Sequence, residues 1–498
     1  MSSNVKMAGT TQGGVALLIF VIVLALAAIV YMLNGVSIEQ LRNEQTLETR
    51  AALSRAKQAL LDYAATYEDA NPGEYGFLPC PDYTISGMPE GGSEGNCGAA
   101  GVNKLGLFPW ASLETGILRS GTGQCLWYAV SGEYKPVPPT APPPGDVMLN
   151  EDSNGAMRLY RADGTSIKQG AQAQDRIVAV IIDPAGVLPS QNRSFDDSSQ
   201  CGLDYFPTEY LEGNGTYNNA LLSGTAFAID DFIERGAGTD ELATPYNDNI
   251  ITITRDELWD AILSRRDFIG DPGDASAMRR LTRALAECVA AYGNASGNRK
   301  LPRPAPIDFG GAADYRDNDN YDDTVAASYL GRYPYKVDDS EVALAGHAPG
   351  PTNDVLFNIG ACNALAVTAG LPDLDLQTAG AEGRLTWKNW KDHFFYAVSS
   401  FYAPANVLDI VPPNCDGTNC IQVGGTEYAA VILYAGSRTG TQRRNEPIAD
   451  GVDDKNTRLN YIEVNSPVGN GTGDYTPTAN DIAYCVTDTD PLTVVSCP

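Results

Sequence analysis

The segment Gly13-Gly14-Val15-Ala16-Leu17-Leu18-Ile19-Phe20 opens the stretch that decides the fold. From Val15 to Leu33 the chain has nineteen consecutive uncharged residues. A helix of that length covers about 28 Å, which is enough to cross the hydrocarbon core of a bilayer. The small residues precede the apolar run, whereas a secretory signal peptide has its small-residue cleavage site after the run. The sequence therefore predicts a membrane-spanning helix.

The helical pattern continues beyond the apolar run. Apolar residues recur at helical spacing as far as Tyr67, and the only turn signal on the way is Asn34-Gly35. This pattern predicts one long helix, half in lipid and half in water.

The opening motif and its apolar run resemble the type IV pilin superfamily, which includes pilins and the pseudopilins of type II secretion. The resemblance covers about the first tenth of the chain. It implies that a prepilin peptidase removes a leader of residues 1–14 by cutting after Gly14, and that the new N-terminus, Val15, is methylated. The plain alternative is a single-pass anchor without processing.

The fifth residue after that cut departs from the family pattern. Most family members have a glutamate there, and this chain has Ile19, or Leu18 if the cut follows Gly13. A charge in lipid is costly, and in the family it is explained by pairing with the N-terminal ammonium of a neighbouring subunit. In lacking this acid the chain resembles the K-type minor pseudopilin and some minor pilins. The resemblance implies a subunit that caps or initiates a filament.

Charge and cysteine content fit an exported protein. The chain has 34 Lys and Arg against 62 Asp and Glu, a net charge of −28, which disfavours nucleic acid and anionic membrane surfaces as partners. Ten cysteines predict five disulfides formed in an oxidising compartment. We therefore expect a single-pass protein of the bacterial inner membrane with most of the chain in the periplasm. After assembly it would belong to a filament in the periplasm or at the cell surface.

The soluble part contains the same pattern twice. A shift of 225 residues places Leu53, Leu60 and Tyr67 on Met278, Leu285 and Tyr292, at helical spacing in both copies. Further matches follow in the same order: Leu105–Trp110 with Leu330–Tyr335, Trp127–Ser131 with Phe395–Ser399, Ile177–Ile182 with Tyr428–Leu433, Gln191–Arg193 with Gln442–Arg444, and Tyr210–Glu212 with Tyr461–Glu463.

Each copy predicts an amphipathic helix followed by short β-strands. This is an α+β fold, with a long N-terminal helix and two tandem pilin-like units of a helix on an antiparallel sheet. The predicted divisions are a leader at 1–14, a stalk helix at 15–33, a first unit at 34–268 and a second unit at 275–498. At this size we expect each unit to bury its own core.

The repeat also predicts the disulfide pairing, because two bonded cysteines should be gained or lost together. The cysteines absent from the second copy pair as Cys80 with Cys97 and Cys125 with Cys201; His393 stands at about the position of Cys125. In the second copy, short loops favour Cys415 with Cys420 and Cys485 with Cys497. Cys288 is then left for Cys362.

No catalytic arrangement emerges from the sequence. Gly91-Gly92-Ser93-Glu94-Gly95 matches a nucleophile motif but lies in a glycine-rich loop, where we expect no strand before the serine. The two histidines, His347 and His393, are interpreted as a surface-loop residue and a packed residue. We therefore expect no enzymatic activity and no bound cofactor, calcium excepted.

Calcium is the one metal for which the sequence offers ligands. In the segment 317–323 four carboxylates lie close together, and oxygen ligands suit Ca²⁺. The segment is not an EF-hand, since the glycine and the glutamate of that loop are missing, and a solvated acidic loop is the simpler interpretation. The potential ligands are Asp317, Asp319, Asp322 and Asp323.

The leading functional hypothesis is a non-enzymatic minor pilin or pseudopilin. Its partners would be other pilin subunits, through the N-terminal helix, and the prepilin peptidase. The alternative is an adhesin on the same stalk, with exposed aromatic residues between Tyr315 and Tyr335 as the place to look for its ligand.

Overall fold

The structure is a computed structural model. It describes residues 13–83, 89–93, 97–136, 149–189, 191–193, 201, 206–270, 276–295, 298–307, 329–334, 336–338, 353–355, 376, 382–404, 413–440, 442–444, 454–462, 471–478 and 481–498. At residues 13–16, 32–39, 270, 336, 338 and 353–355 it describes the backbone alone.

The fold is α+β, as the sequence predicts. The main helices are α1 (Gly13–Ala70), α2 (Arg255–Leu263), α3 (Ala277–Ala295) and α4 (Glu382–Trp390). In the second half of α1 the buried residues follow helical spacing, so that one face packs on a sheet. α2 begins at a capping box, in which Thr254 accepts from the Glu257 amide and the Glu257 carboxylate accepts from the Thr254 amide.

The first seven-stranded sheet lies between α1 and α2 in the sequence. Its central strand β5 pairs with β2 on one side and with β7 on the other. Strand β3 pairs with β5 in antiparallel orientation and with β6 in parallel orientation. The strands are β1 (Lys104–Leu107), β2 (Trp127–Val130), β3 (Met157–Tyr160), β4 (Ile167–Gln169), β5 (Ile177–Asp183), β6 (Asp230–Ile233) and β7 (Asn249–Thr254).

The second seven-stranded sheet follows α3, and a separate pair of short strands precedes most of it. The pair is β9 (Lys336–Asp338) with β10 (Asn353–Val355). The strands of the sheet are β8 (Leu330–Arg332), β11 (Phe394–Val398), β12 (Ile421–Val423), β13 (Thr426–Tyr434), β14 (Gly473–Tyr475), β15 (Ile482–Thr487) and β16 (Val494–Ser496).

The two sheets repeat the same order and register. The antiparallel series β1-β2-β5-β7 corresponds to β8-β11-β13-β15, and the parallel pair β3 and β6 corresponds to β12 and β14. Leu105 lies opposite Ala129, and Leu330 lies opposite Ala397. Even the β-bulge recurs, at Ile177–Ala179 and at Tyr428–Ala430. The segments that match in the sequence therefore occupy equivalent places in the two sheets.

A glycine at the same position of each repeat allows two backbone segments to come close together. A Cβ on Gly106 would lie 2.6 Å from the Asp82 carbonyl oxygen, and a Cβ on Gly331 would lie 2.0 Å from the Ala305 carbonyl oxygen. In each repeat the strand pairs through this contact with the segment that follows the helix. Only glycine allows the two backbones to approach so closely.

The repeats share one large apolar core, contrary to the expectation that each would bury its own. A single cluster contains Leu60 of α1, Tyr128 of the first sheet, Trp259 of α2, Leu285 of α3 and Tyr396 of the second sheet. The opposite face of each sheet has a smaller cluster of its own, around Trp127 and around Phe395. The length of each repeat is enough for a core of its own, which is why the sequence predicted two cores. Length contains no information about whether the apolar faces of the two repeats pack on each other.

Candidate functional site

The predicted processing residues lie at the N-terminal end of α1. Gly14 and Val15 belong to its first turn. Beyond them, every described side chain from Leu17 to Tyr31 is exposed, and among the large apolar ones exposure runs from 49% at Ile22 to 82% at Tyr31. A contiguous apolar surface on this scale marks a place of contact with lipid or protein.

No helix in the part of the chain with described side chains is both long and apolar enough to cross a membrane. The membrane span at 15–33 stays a prediction from the sequence.

Four of the five predicted disulfides are present among the described residues. They are Cys80–Cys97, Cys125–Cys201, Cys415–Cys420 and Cys485–Cys497, with Cα–Cα distances of 5.8, 5.6, 5.6 and 5.2 Å. Cys288 is also disulfide-bonded, and its expected partner Cys362 lies outside the described residues.

A loop of the first repeat, residues 149–153, contacts the second repeat. The Asn150 side-chain amide donates to the Asn389 carbonyl (2.8 Å) and to Asp392 Oδ1 (3.0 Å). The Arg444 guanidinium donates to Glu151 Oε1 (2.9 Å), and both side chains are buried. These polar contacts join residues about 240 to 290 positions apart, so they tie the two repeats together.

His393 lies at the centre of this charge network. Its Nδ1 is 2.8 Å from Asp392 Oδ1, and its Nε2 is 3.2 Å from Asp152 Oδ2. The ring packs edge-on against Trp390 and Tyr461, as expected for a packed histidine. That expectation describes only part of its environment. The sequence interpretation missed the two carboxylates that flank it.

Electrostatics keep this histidine charged. Burial disfavours the imidazolium, but Asp392 and Asp152 outweigh burial and raise the pKa of His393 to about 10. Burial also disfavours the charged form of Asp152 and so would raise its pKa. The positive charges of His393, Arg444 and Lys455 outweigh burial and lower the pKa of Asp152 to about 2. The network is therefore a set of buried ion pairs at neutral pH.

The same residues are the best-placed set for a metal ion among the described residues that are buried. One ligand atom from each of Glu151, Asp152 and His393 lies within 4.8 Å of the others. A divalent ion would have to displace the proton from His393 and would lie beside the Arg444 cation. The donor set therefore fits ion pairs better than a metal.

The network adjoins a cleft but does not open into it as a reactive site. The cleft, of about 540 Å³, lies between α2 and the turn after β13, and its lining includes Glu151, Trp259, Asp260 and Arg438. His393 and Asp152 are fully buried, so neither can contact a substrate. What the arrangement does chemically is to hold the repeats together.

In the described part of the serine motif, residues 91–93, no feature of a nucleophile elbow is present. The described part, residues 89–93, contains neither strand nor helix. The Gly91 amide donates to Asp82 Oδ2 (2.6 Å) and the Ser93 amide donates to Ser112 Oγ (2.7 Å). The loop is thus held as a turn beside the Cys80–Cys97 disulfide. His347 lies outside the described residues.

The possible calcium ligands also lie outside the described residues. These are Asp317, Asp319, Asp322 and Asp323. Calcium binding at this segment stays a prediction.

The sequence matches two equivalent arginines but does not reveal what they contact. Arg193 and Arg444 each lie over the ring of a tyrosine, Tyr210 and Tyr461, with the guanidinium carbon 5.3 and 4.6 Å from the ring centroid. The arginines and the tyrosines are both 251 positions apart. The repeat alignment already contained this signal, but it could not reveal which acid each arginine binds.

No protein-family model, curated protein or solved structure matches this chain.

Proposed function

We propose that this protein is a non-enzymatic minor pilin or pseudopilin-like subunit that caps or initiates a type IV pilus or a type II secretion pseudopilus. The N-terminal part of α1 would lie in the inner membrane before assembly and among like helices afterwards. The two repeats would form the periplasmic head.

The observation that carries the proposal is the exposed apolar surface of α1. A row of large apolar side chains from Leu17 to Tyr31 with so much exposed area needs a cover, and lipid tails or neighbouring apolar helices supply one. The second half of the same helix packs on the first sheet through Leu53 and Leu60, so one helix carries both the exposed surface and the attachment to the head. A helical stalk attached to a folded head suits a filament subunit.

The tip position rests on Ile19. An apolar residue there has no need of an ammonium group from a subunit above it, whereas a carboxylate would need one. We therefore expect few copies per filament, located at filament ends.

Mass spectrometry of the mature N-terminus tests the family assignment. We expect cleavage after Gly14 and a methylated Val15. A Gly14→Val variant should block cleavage, and Gly9→Val, a matched change inside the leader, should leave it intact. An unprocessed Met1, or cleavage after the apolar run, would remove the proposal. Proteomics of sheared filaments then tests the position: abundance equal to the major subunit would contradict a cap.

Aromatic residues between Tyr315 and Tyr335 would carry the alternative, an adhesin. Of these, only residues 329–334 are described, and no contact among them favours a ligand site.

A further inference from the structure

Two buried carboxyl groups meet in the first repeat. Asp248, just before β7, is fully buried, and the Glu212 side chain is 9% exposed. Asp248 Oδ2 accepts from the Glu212 amide (3.1 Å) and from Asn219 Nδ2 (2.9 Å), while Glu212 Oε2 accepts from the Asn247 amide (3.2 Å). The remaining oxygens, Glu212 Oε1 and Asp248 Oδ1, are buried and have no donor.

The surroundings supply too little positive charge for two carboxylates. Arg193 Nη2 lies 3.9 Å from Glu212 Oε1, and the N–H groups of Arg193 donate instead to the carbonyls of Pro184, Ala185 and Tyr210. Asp183 adds a further acid nearby, which the Ala185 amide and Asn249 Nδ2 bind. Among the described groups, Arg193 is the cation that acts on Glu212, and Asp183 and Tyr210 in turn act on Arg193.

We propose that Glu212 and Asp248 share one proton in the folded protein at neutral pH, so that this acid pair makes the stability of the first repeat depend on pH. Two ionised carboxylates in contact in a buried site repel each other. One proton removes the repulsion and gives one of the two orphaned oxygens an O–H with which to donate to the other acid.

The electrostatics support the geometry. Burial raises the pKa of Glu212 to about 7. Burial and, after it, the Glu212 carboxyl raise the pKa of Asp248 well above its ordinary value. The two groups titrate as a pair.

The second repeat contains the same acids. Tyr461-Ile462-Glu463 matches Tyr210-Leu211-Glu212, and the register of β15 places Asp481 at the position of Asp248. Glu463 lies outside the described residues. The four cysteines of the first copy have no counterparts in the second copy, whereas both acids do, which favours a role for the pair beyond solvation.

The sign of the pH effect follows from the raised pKa. Between about pH 4.5 and pH 7 the unfolded chain has released both protons, whereas the folded protein keeps at least one, because the pKa of Glu212 is about 7 and the pKa of Asp248 is raised well above its ordinary value. The folded state then binds more protons, so its stability falls as pH rises through this window. One proton corresponds to about a tenfold rise in the unfolding equilibrium constant per pH unit.

Chemical unfolding of the full chain in detergent between about pH 5 and pH 8 tests the proposal. Glu212→Gln and Asp248→Asn each place an amide donor in the pair, so we expect a flatter pH profile and a higher midpoint than the parent at the alkaline end. Glu209→Gln, three residues away, is the matched control and should keep the parental slope. If both variants run parallel to the parent, the proposal is wrong.

Infrared spectroscopy of the parent protein gives a test that does not depend on whether a variant folds. The parent near pH 6 should show the band of a buried protonated carboxyl group, and the band should disappear as the pair titrates. Its absence would overturn the proposal. A midpoint raised by millimolar calcium in the parent but not in Asp248→Asn would overturn it too, because a cation would then occupy the pair.

Discussion

At equivalent positions the two repeats are held by different kinds of bond. In the first repeat the disulfide Cys125–Cys201 ties the start of β2 to the connection after β5. In the second, His393 stands at the position of Cys125, and beside it Asp392 binds Lys455, in the connection after β13, at 2.5 Å. Both members of this ion pair are buried. A covalent tie in one copy thus corresponds to an ionic tie in the other.

The difference matters because the two ties act on different states. A disulfide stabilises mainly by restricting the unfolded chain, and it needs no neighbour. A buried ion pair stabilises only when every charge in the folded state is compensated. Here the compensation extends across the repeats, since His393 also faces Asp152, a residue of the first repeat. The second repeat therefore depends on the first.

This dependence gives the largest expected effect. A fragment of residues 276–498 would expose its part of the shared apolar cluster and leave Arg444 without Glu151. We expect no cooperative thermal transition from it in an oxidising host, as measured by circular dichroism. Co-expression with residues 13–270 should restore the transition.

A cooperative melt of the isolated fragment would reverse this conclusion. It would show that the smaller cluster around Phe395 and the disulfides suffice for folding, as the length of the repeat predicts.

The sequence predicted the elements of this architecture but not their assembly. The match of Trp127–Ser131 with Phe395–Ser399 predicted equivalent strands because a repeated apolar pattern demands a repeated pairing register. Four disulfides could be paired because bonded cysteines are expected to be gained or lost together between the copies and because short loops join the pairs of the second copy. The contact of Glu151 with Arg444 spans 293 positions and leaves no periodic signal. Nor could composition reveal that one apolar cluster serves both sheets.

The ionic tie itself is the next largest effect. Lys455→Met removes one partner of a buried pair and leaves Asp392 undercompensated, so we expect the full chain to lose about 3 to 5 kcal/mol of unfolding free energy. The control is Lys57→Met, whose partner Glu257 is 44% exposed, and it should cost no more than about 1 kcal/mol. Urea denaturation measures both. Equal losses would mean that the buried network adds nothing beyond an ordinary surface pair.

The smallest expected effect is the difference between a long and a short disulfide. Cys125–Cys201 joins residues 76 positions apart, and Cys415–Cys420 joins residues 5 apart. Loop entropy then predicts a loss of about 4.5 kcal/mol when the first pair becomes alanine and about 2 kcal/mol for the second. Urea denaturation of the two double variants gives the difference directly. Equal losses would show that the covalent tie acts through contacts in the folded repeat, as the ionic tie does, and the contrast between the two repeats would then disappear.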